Sequence, residues 1–244
     1  MKATDLTIAF ILIIMPSVLM LDYKTKETNR AIYETTRISQ ILDAAVEDAT
    51  AVMFEKDISG TVSINKDKGV NSLMQTMCLN FDLLDDDLSR RLIEGYIPCI
   101  VSIEYDGYCV MRHEEYLNEK NEPELRMTWL PKQPYSFSDT RYIYSFTLGD
   151  ELTVYQKTSN AIINGTTDSL LTALPGSSIL VAPDAYNTTE QRIEQFYLNK
   201  QIAMVEQLKR DIDEIINNHN RIAQHYGITY YFTLPDMEKD DWLS

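Results

Sequence analysis

Between Asp5 and Asp22 the chain reads LTIAFILIIMPSVLML, from Leu6 to Leu21, without one charged side chain. Water is a poor solvent for such a run. A helix of this length, rising about 1.5 Å per residue, approaches the thickness of a hydrocarbon core of about 30 Å. Ala3, Thr4 and Tyr23 extend the run, and the stems of Lys2 and Lys24 add to it by snorkelling. The expectation is a transmembrane anchor over 1–22, in lipid bilayer. A cleaved signal is the competitor, but the run ends Val18-Leu19-Met20-Leu21-Asp22 with no small-residue cleavage site. Lys24, Lys26 and Arg30 follow the run and only Lys2 precedes it, which by the positive-inside count keeps the remainder in the cytoplasm. The organisation described below favours the opposite side, so the expected localisation is the cell membrane, single-pass, with an extracytoplasmic domain.

Behind the apolar run, Ala31, Thr35, Ile38, Leu42, Ala45, Ala49 and Val52 recur at alternating steps of three and four, the pattern of an amphipathic helix. A stalk helix is expected over 23–58. Neither Gly nor Pro occurs from Ser17 to Ser59, so anchor and stalk are expected to form one continuous rod. Its seam is small. Ala31, Ile38, Leu42, Ala45 and Ala49 are candidates for contact with another helix. Alternatively the seam covers the sheet of its own domain, the reading favoured for the C-terminal half.

The remainder, 59–244, is expected to be an α+β domain. Helical patterns span 67–84 and 86–96, with Asp85, Asp86 and Asp87 placed to start the second. Ile97–Tyr105 and Tyr108–Arg112 flank Asp106-Gly107, a hairpin signal in which Tyr105 would pair with Tyr108. A short strand is expected over 127–130. Tyr142–Leu148 and Glu151–Tyr155 flank Gly149-Asp150 as a second hairpin, apolar on both faces and central to the sheet. Thr188-x-x-Gln191 is a capping-box pattern, followed by a long amphipathic helix that Gly227 ends. Ile228–Leu234 then reads as a final strand before Pro235. The expected fold is thus α+β: a long N-terminal transmembrane-plus-stalk helix, an antiparallel sheet, a second long C-terminal helix and a final strand.

Charge and motif content narrow the function. With 37 acidic against 22 basic residues and a net charge of −15, a nucleic-acid partner is not expected. His113, His219 and His225 show no metal-ligand spacing, and His113-Glu114-Glu115 lacks the second histidine of a zinc helix. No nucleophile elbow, phosphate loop or dinucleotide fingerprint is found, and Pro175-Gly176-Ser177-Ser178 reads as a turn. No cofactor, no metal and no catalytic residue are expected. Cys78, Cys99 and Cys109 are an odd set, read as buried thiols without a structural disulfide. Asn164-Gly165-Thr166 and Asn187-Thr188-Thr189 are read as a turn and a helix entry. The 15 tyrosines suit either a binding face or plain strand propensity.

An acidic residue at position five, an apolar rod and an Ala-rich stalk leading into an antiparallel sheet resemble the organisation of pilins and pseudopilins. The chain is most similar to tight-adherence (Tad) pilin-like proteins, through Asp43-Ala44-Ala45 and Asp48-Ala49. The segments PKQPYSFSDTRYIYSFTL and HNRIAQHYGITYYFTLP also resemble uncharacterised membrane-anchored proteins of Firmicutes. The resemblance implies that Asp5 neutralises a neighbouring subunit's terminal amine during assembly and that Pro16 marks a helix kink. Met1-Lys2-Ala3-Thr4 lacks the basic, Gly-terminated leader of a prepilin, so maturation by a prepilin peptidase is not expected. The implied function is a non-enzymatic subunit or assembly component of a surface filament or secretion system, with homotypic or secretion-system protein partners. A membrane-tethered ligand-binding or sensory domain is the alternative.

Overall fold

The segment Ala9–Leu12, expected inside the apolar rod, is an extended strand, β1, in the computed structural model. Its partner is β4 (Cys99–Glu104): Phe10 lies opposite Val101 and Leu12 opposite Cys99, antiparallel. A physical reason is visible in β4. Cys99, Ile100, Val101, Ser102 and Ile103 are all buried, so the strand beside them must itself be apolar. A short apolar run carries no periodicity that separates helix from strand, and here the unpaired edge of β4 decides it. The continuous anchor-and-stalk helix is therefore corrected: α1 begins at Thr28 and ends at Met53. Among the described residues no helix is long and apolar enough to cross a membrane.

The structure describes residues 9–12, 28–56, 62–171 and 189–225. After α1 come β2 (Phe54–Lys56), β3 (Val62–Ile64), α2 (Lys66–Asn80), α3 (Asp87–Glu94), β4, β5 (Gly107–Leu117) and β6 (Pro123–Trp129). They are followed by β7 (Tyr135–Ser138), β8 (Tyr142–Phe146), β9 (Glu151–Gln156), β10 (Ala161–Thr166), α4 (Thr167–Leu171) and α5 (Thr189–His225). The class is α+β with antiparallel sheets ordered β1-β4-β5-β6 and β10-β9-β8-β7, and a β2-β3 ribbon. The expected strand Ile228–Leu234, Pro175 to Ser178, Thr188 of the capping box, Asp5 and Pro16 lie outside the described residues.

The chain divides into two units. The first contains α1 to α3, β6, Cys99–Ser102 of β4, the part of β5 from Val110 and the last turns of α5 from Ile215. In its core Ala45 and Ala49 of α1 meet Leu73, Met74, Met77 and Cys78 of α2, together with Ile93, Ile97, Ile100 and Met127. The helices approach closely because their contact residues are small. A β-carbon on Gly69 would lie 3.2 Å from Met53 Cβ and 3.4 Å from the Ala49 carbonyl oxygen. Rather than continuing to 58, α1 stops at Met53. The chain turns through the β2-β3 ribbon, Phe54 opposite Ile64, and Asn65 caps α2 by accepting from Lys68 N at 3.1 Å.

The second unit contains Ile103–Cys109 and Pro131–Glu214. Its sheet buries Tyr142, Tyr144, Phe146, Leu152 and Val154, and Phe196 of α5 packs edge-on against Phe146 with centroids 6.4 Å apart. The β8–β9 register differs from the one Gly149-Asp150 suggested. Phe146 pairs with Leu152 and Tyr144 with Val154, because Leu148 is drawn out of the hairpin by its N–H bond to the Tyr105 carbonyl, 2.7 Å. A slip of one residue turns side chains to the other face, so the aromatic and aliphatic residues share one buried face instead of dividing between two. Ile143 is left partly exposed on the other side. Gly149 permits the crossing, since a β-carbon there would collide with the Tyr105 hydroxyl.

The first hairpin is displaced as well. The turn residues are Tyr105 and Asp106, with Gly107 already in β5. The reason lies one strand away: Tyr108 and Gln133 exchange backbone hydrogen bonds of 2.9 and 2.8 Å. That pairing brings the Gln133 carbonyl against Gly107, where any side chain would clash.

Candidate interaction surface

The most unusual surface of the first unit is on and before α3. Local chemistry makes this short helix. Asp86 caps it by accepting from Ser89 N at 2.8 Å, Asp87 stands in the first turn and Arg91 in the last. Upstream, Asp82 adopts φ 55, and Leu83 N bonds back to the Cys78 carbonyl at 2.8 Å, a left-handed helix end. Through this turn Phe81 and Leu83 pack against the core and Leu84 projects outward. Ile93 of α3 is buried among the residues of α2. Leu88 and Leu92, four apart and so on one face, are 79% and 52% exposed, and Leu84 is 77% exposed. Leu79, at the end of α2, is exposed too.

Ion pairs hold these leucines in place. The Arg90 guanidinium forks onto both Asp85 carboxylate oxygens and reaches Asn71 Oδ1 of α2 at 2.6 Å. Hydrogen bonding from Arg90 holds the Asp85 carboxyl below the usual carboxylate range, and the Ser89 backbone N–H does the same for Asp86. Arg91 lies 3.5 Å from Glu124 of β6. Glu124 faces Tyr116 across the ladder, and the tip of that hairpin exposes Tyr116, Leu117 and Leu125. Asp82 and Asp87 remain exposed at the rim. The arrangement is a fixed apolar ridge with a negative border.

The residues singled out in the sequence lie elsewhere. Ala45 and Ala49 are 0% and 3% exposed, covered by α2 of the same chain. Ile38 and Leu42 are half-buried along α1, and Ala31 falls within that helix. The structure thus brings Ala45 and Ala49 into the unit's own core, where the sheet contributes Ile100 and Met127 and a helix contributes most of the cover. Among the described residues four tyrosines are interior, whereas Tyr105 and Tyr116 are exposed. Tyr108, Tyr135, Tyr142 and Tyr144 are buried, and Tyr144 stacks on Phe146 at 6.1 Å. Cys78, Cys99 and Cys109 are buried thiols, and burial pushes that of Cys99 up to about 12.

Other polar groups escaped the sequence reading. On α5, Lys200 and Gln207 are buried and share a stripe with Asp211. Gln207 accepts from Ser136 N at 2.7 Å and donates to the Pro134 carbonyl at 3.1 Å and the Tyr108 hydroxyl at 3.2 Å. Tyr108 in turn donates to Asp211. Burial and then the Asp211 carboxylate raise the Tyr108 phenol. Lys200 donates to the Gly149 carbonyl, and desolvation lowers its amine to about 8. The available signal was polar residues interrupting the apolar period of a helix. In the first unit, His113 of β5 and His219 of α5 pack with ring centroids 5.0 Å apart and planes tilted by 43°, though 106 positions of sequence hid the pairing. Burial, then the neighbouring His219, lowers His113 to about 4. Among the described residues no group of three or more His, Cys, Asp or Glu is placed to hold a metal ion. A small cavity of about 20 Å³ under Trp129, lined by Ala49, Gly69 and Ser102, has room for a water molecule.

No protein-family model, curated protein or solved structure gives a significant match to this chain.

Proposed function

We propose that this chain is a non-enzymatic, pilin-like subunit or assembly component of a surface filament or secretion system, and that it works through protein contacts made by the leucines of α3. The observation that carries the reading is the exposure of Leu84, Leu88 and Leu92 on a segment that is capped, ion-paired and anchored by Ile93. Single exposed leucines are ordinary, but a fixed cluster with a polar rim marks an interaction site. The resemblance to Tad pilin-like proteins, through Asp43-Ala44-Ala45 on α1, supports assembly as the purpose of that contact. Self-association through Ala45 and Ala49 is not part of this reading, since α2 already covers them. Capture of a small ligand gains no support from a cavity of about 20 Å³, far below the size of ordinary ligand sites.

A photo-cross-linking amino acid introduced at position 88 of the full chain, in its native host, tests this directly. The expected result is an adduct with a second protein at position 88 and none at the exposed loop position 120. A chain that stays uncross-linked at position 88 under the same illumination overturns the reading.

A further inference from the structure

Resting on that reading, we infer that the α3 ridge docks a basic amphipathic helix of a partner protein. Leu88 and Leu92, one turn apart on α3, form a short apolar row of the kind that fits between side chains at positions i, i+3 and i+4 of a facing helix, and Leu84 before the cap is exposed as well. The border supplies the sign of the partner's charge. Of the two arginines of α3, Arg90 is tied down by Asp85 and Asn71, while Arg91, 72% exposed, lies 3.5 Å from Glu124. Outward around the leucines the carboxylates of Asp82, Asp87 and the capping Asp86 outnumber the single exposed cation, Arg91. A partner that brings apolar side chains onto this ridge must bring its flanking residues against those carboxylates, and lysine or arginine there turns repulsion into attraction. A second copy of this chain is the poorer occupant. Its 37 acidic and 22 basic residues give −15, so copies repel, and an anionic bilayer is disfavoured for the same reason.

The probe is a synthetic amphipathic peptide of leucine and lysine at helical spacing, labelled with a fluorophore and titrated with the full chain. A second peptide carries glutamate at every lysine position. The expected result is binding of the lysine peptide only, weakened about tenfold or more by Leu88→Glu with Leu92→Glu, as for central residues of an interface. Asp82→Asn with Asp87→Asn is expected to weaken it less, and raising salt from about 50 mM to about 500 mM to remove that part of the effect. Leu88 and Leu92 are exposed, so the variants are expected to melt as the parent does, and the melting curve verifies it. Equal binding of both peptides, or binding unaffected by the leucine substitutions, overturns the assignment, as does concentration-dependent self-association abolished by Leu88→Glu. Those results leave the assembly reading standing if the adduct at position 88 forms in cells; absence of that adduct defeats the assembly reading itself.

Discussion

Helices α1 and α5 both present an apolar stripe at helical spacing, yet they are held by opposite means. The stripe of α1 is narrow in volume, with Ala45 and Ala49 at its centre, and it lies against another helix through Gly69. The stripe of α5 is interrupted by Lys200, Gln207 and Asp211, whose polar ends reach Gly149, Pro134, Ser136 and Tyr108. One helix fits by the absence of side-chain volume, the other by hydrogen bonds to backbone that no strand pairs. Gln207 in effect substitutes for a ladder partner at the edge strand β7. Periodicity therefore tells which face of a helix is covered, while residue size and polarity within the stripe tell what kind of element covers it.

Enlarging the small side of this comparison is expected to give the largest effect. Ala49→Leu adds three carbons where Gly69 of α2 already lies close to Met53 Cβ and the Ala49 carbonyl of α1, and the adjoining cavity of about 20 Å³ takes up only part of that volume. A loss of about 3 kcal/mol or more is expected, at the upper end for overpacked cores, read from the midpoint of urea unfolding. A loss under about 1 kcal/mol would mean that α1 and α2 are not in register as described, and the contrast with α5 would fail.

Acid provides the second, smaller test, at the paired histidines of the first unit. Folding lowers His113 from 6.5 to about 4, so between those values the unfolded chain binds the proton and the folded chain does not. The contribution is whole above pH 6.5, declines as pH falls through that window and is gone below about 4, a loss of order 2–3 kcal/mol. Burial raises the Glu94 carboxyl, which acts with the opposite sign on acidification. The difference between the parent and His113→Gln stability curves isolates the imidazole. Parallel curves from pH 7 to pH 4 would show that the two rings are not packed as a neutral pair.

Much of the second unit was legible in the sequence as elements, and less so as register. Gly149-Asp150 marked a hairpin correctly in place, but the one-residue slip came from the Tyr105 carbonyl, distant in sequence, claiming Leu148 N. Asp106-Gly107 misled for a similar reason: Gly107 is required by the approach of Gln133, not by a turn with positive φ. The aspartates before α3 were readable because capping is local. The apolar run at the N-terminus was the least decisive, since Ala9–Leu12 takes its conformation from the buried edge of β4. The leucine ridge was not legible because residues alone show only a helical pattern over 86–96, and which of its apolar residues is covered emerges only from the burial of Ile93 beside the exposed Leu88 and Leu92.

The smallest expected effect lies within the stripe of α5 and separates its two buried polar residues. Gln207→Leu abandons the Ser136 N–H, the Pro134 carbonyl and the Tyr108 hydroxyl together, and unmatched buried groups are costly, so a loss of about 2 kcal/mol is expected. Lys200 is 4% exposed and holds one carbonyl, that of Gly149. Its lowered amine shows that the cation is poorly compensated for leaving water. Lys200→Met keeps the length of the stem, removes that penalty and leaves a single acceptor unmet, so the change in stability at pH 7 is expected to fall within about 1 kcal/mol of zero, on either side. The parent should also gain stability as pH rises from about 8 towards 10.5, where the unfolded chain still carries the proton that Lys200 has lost, and Lys200→Met should lack that gain. If Lys200→Met instead costs as much as Gln207→Leu, the amine is a structural bond on the same footing as the amide, and α5 is held by charge as well as by edge pairing.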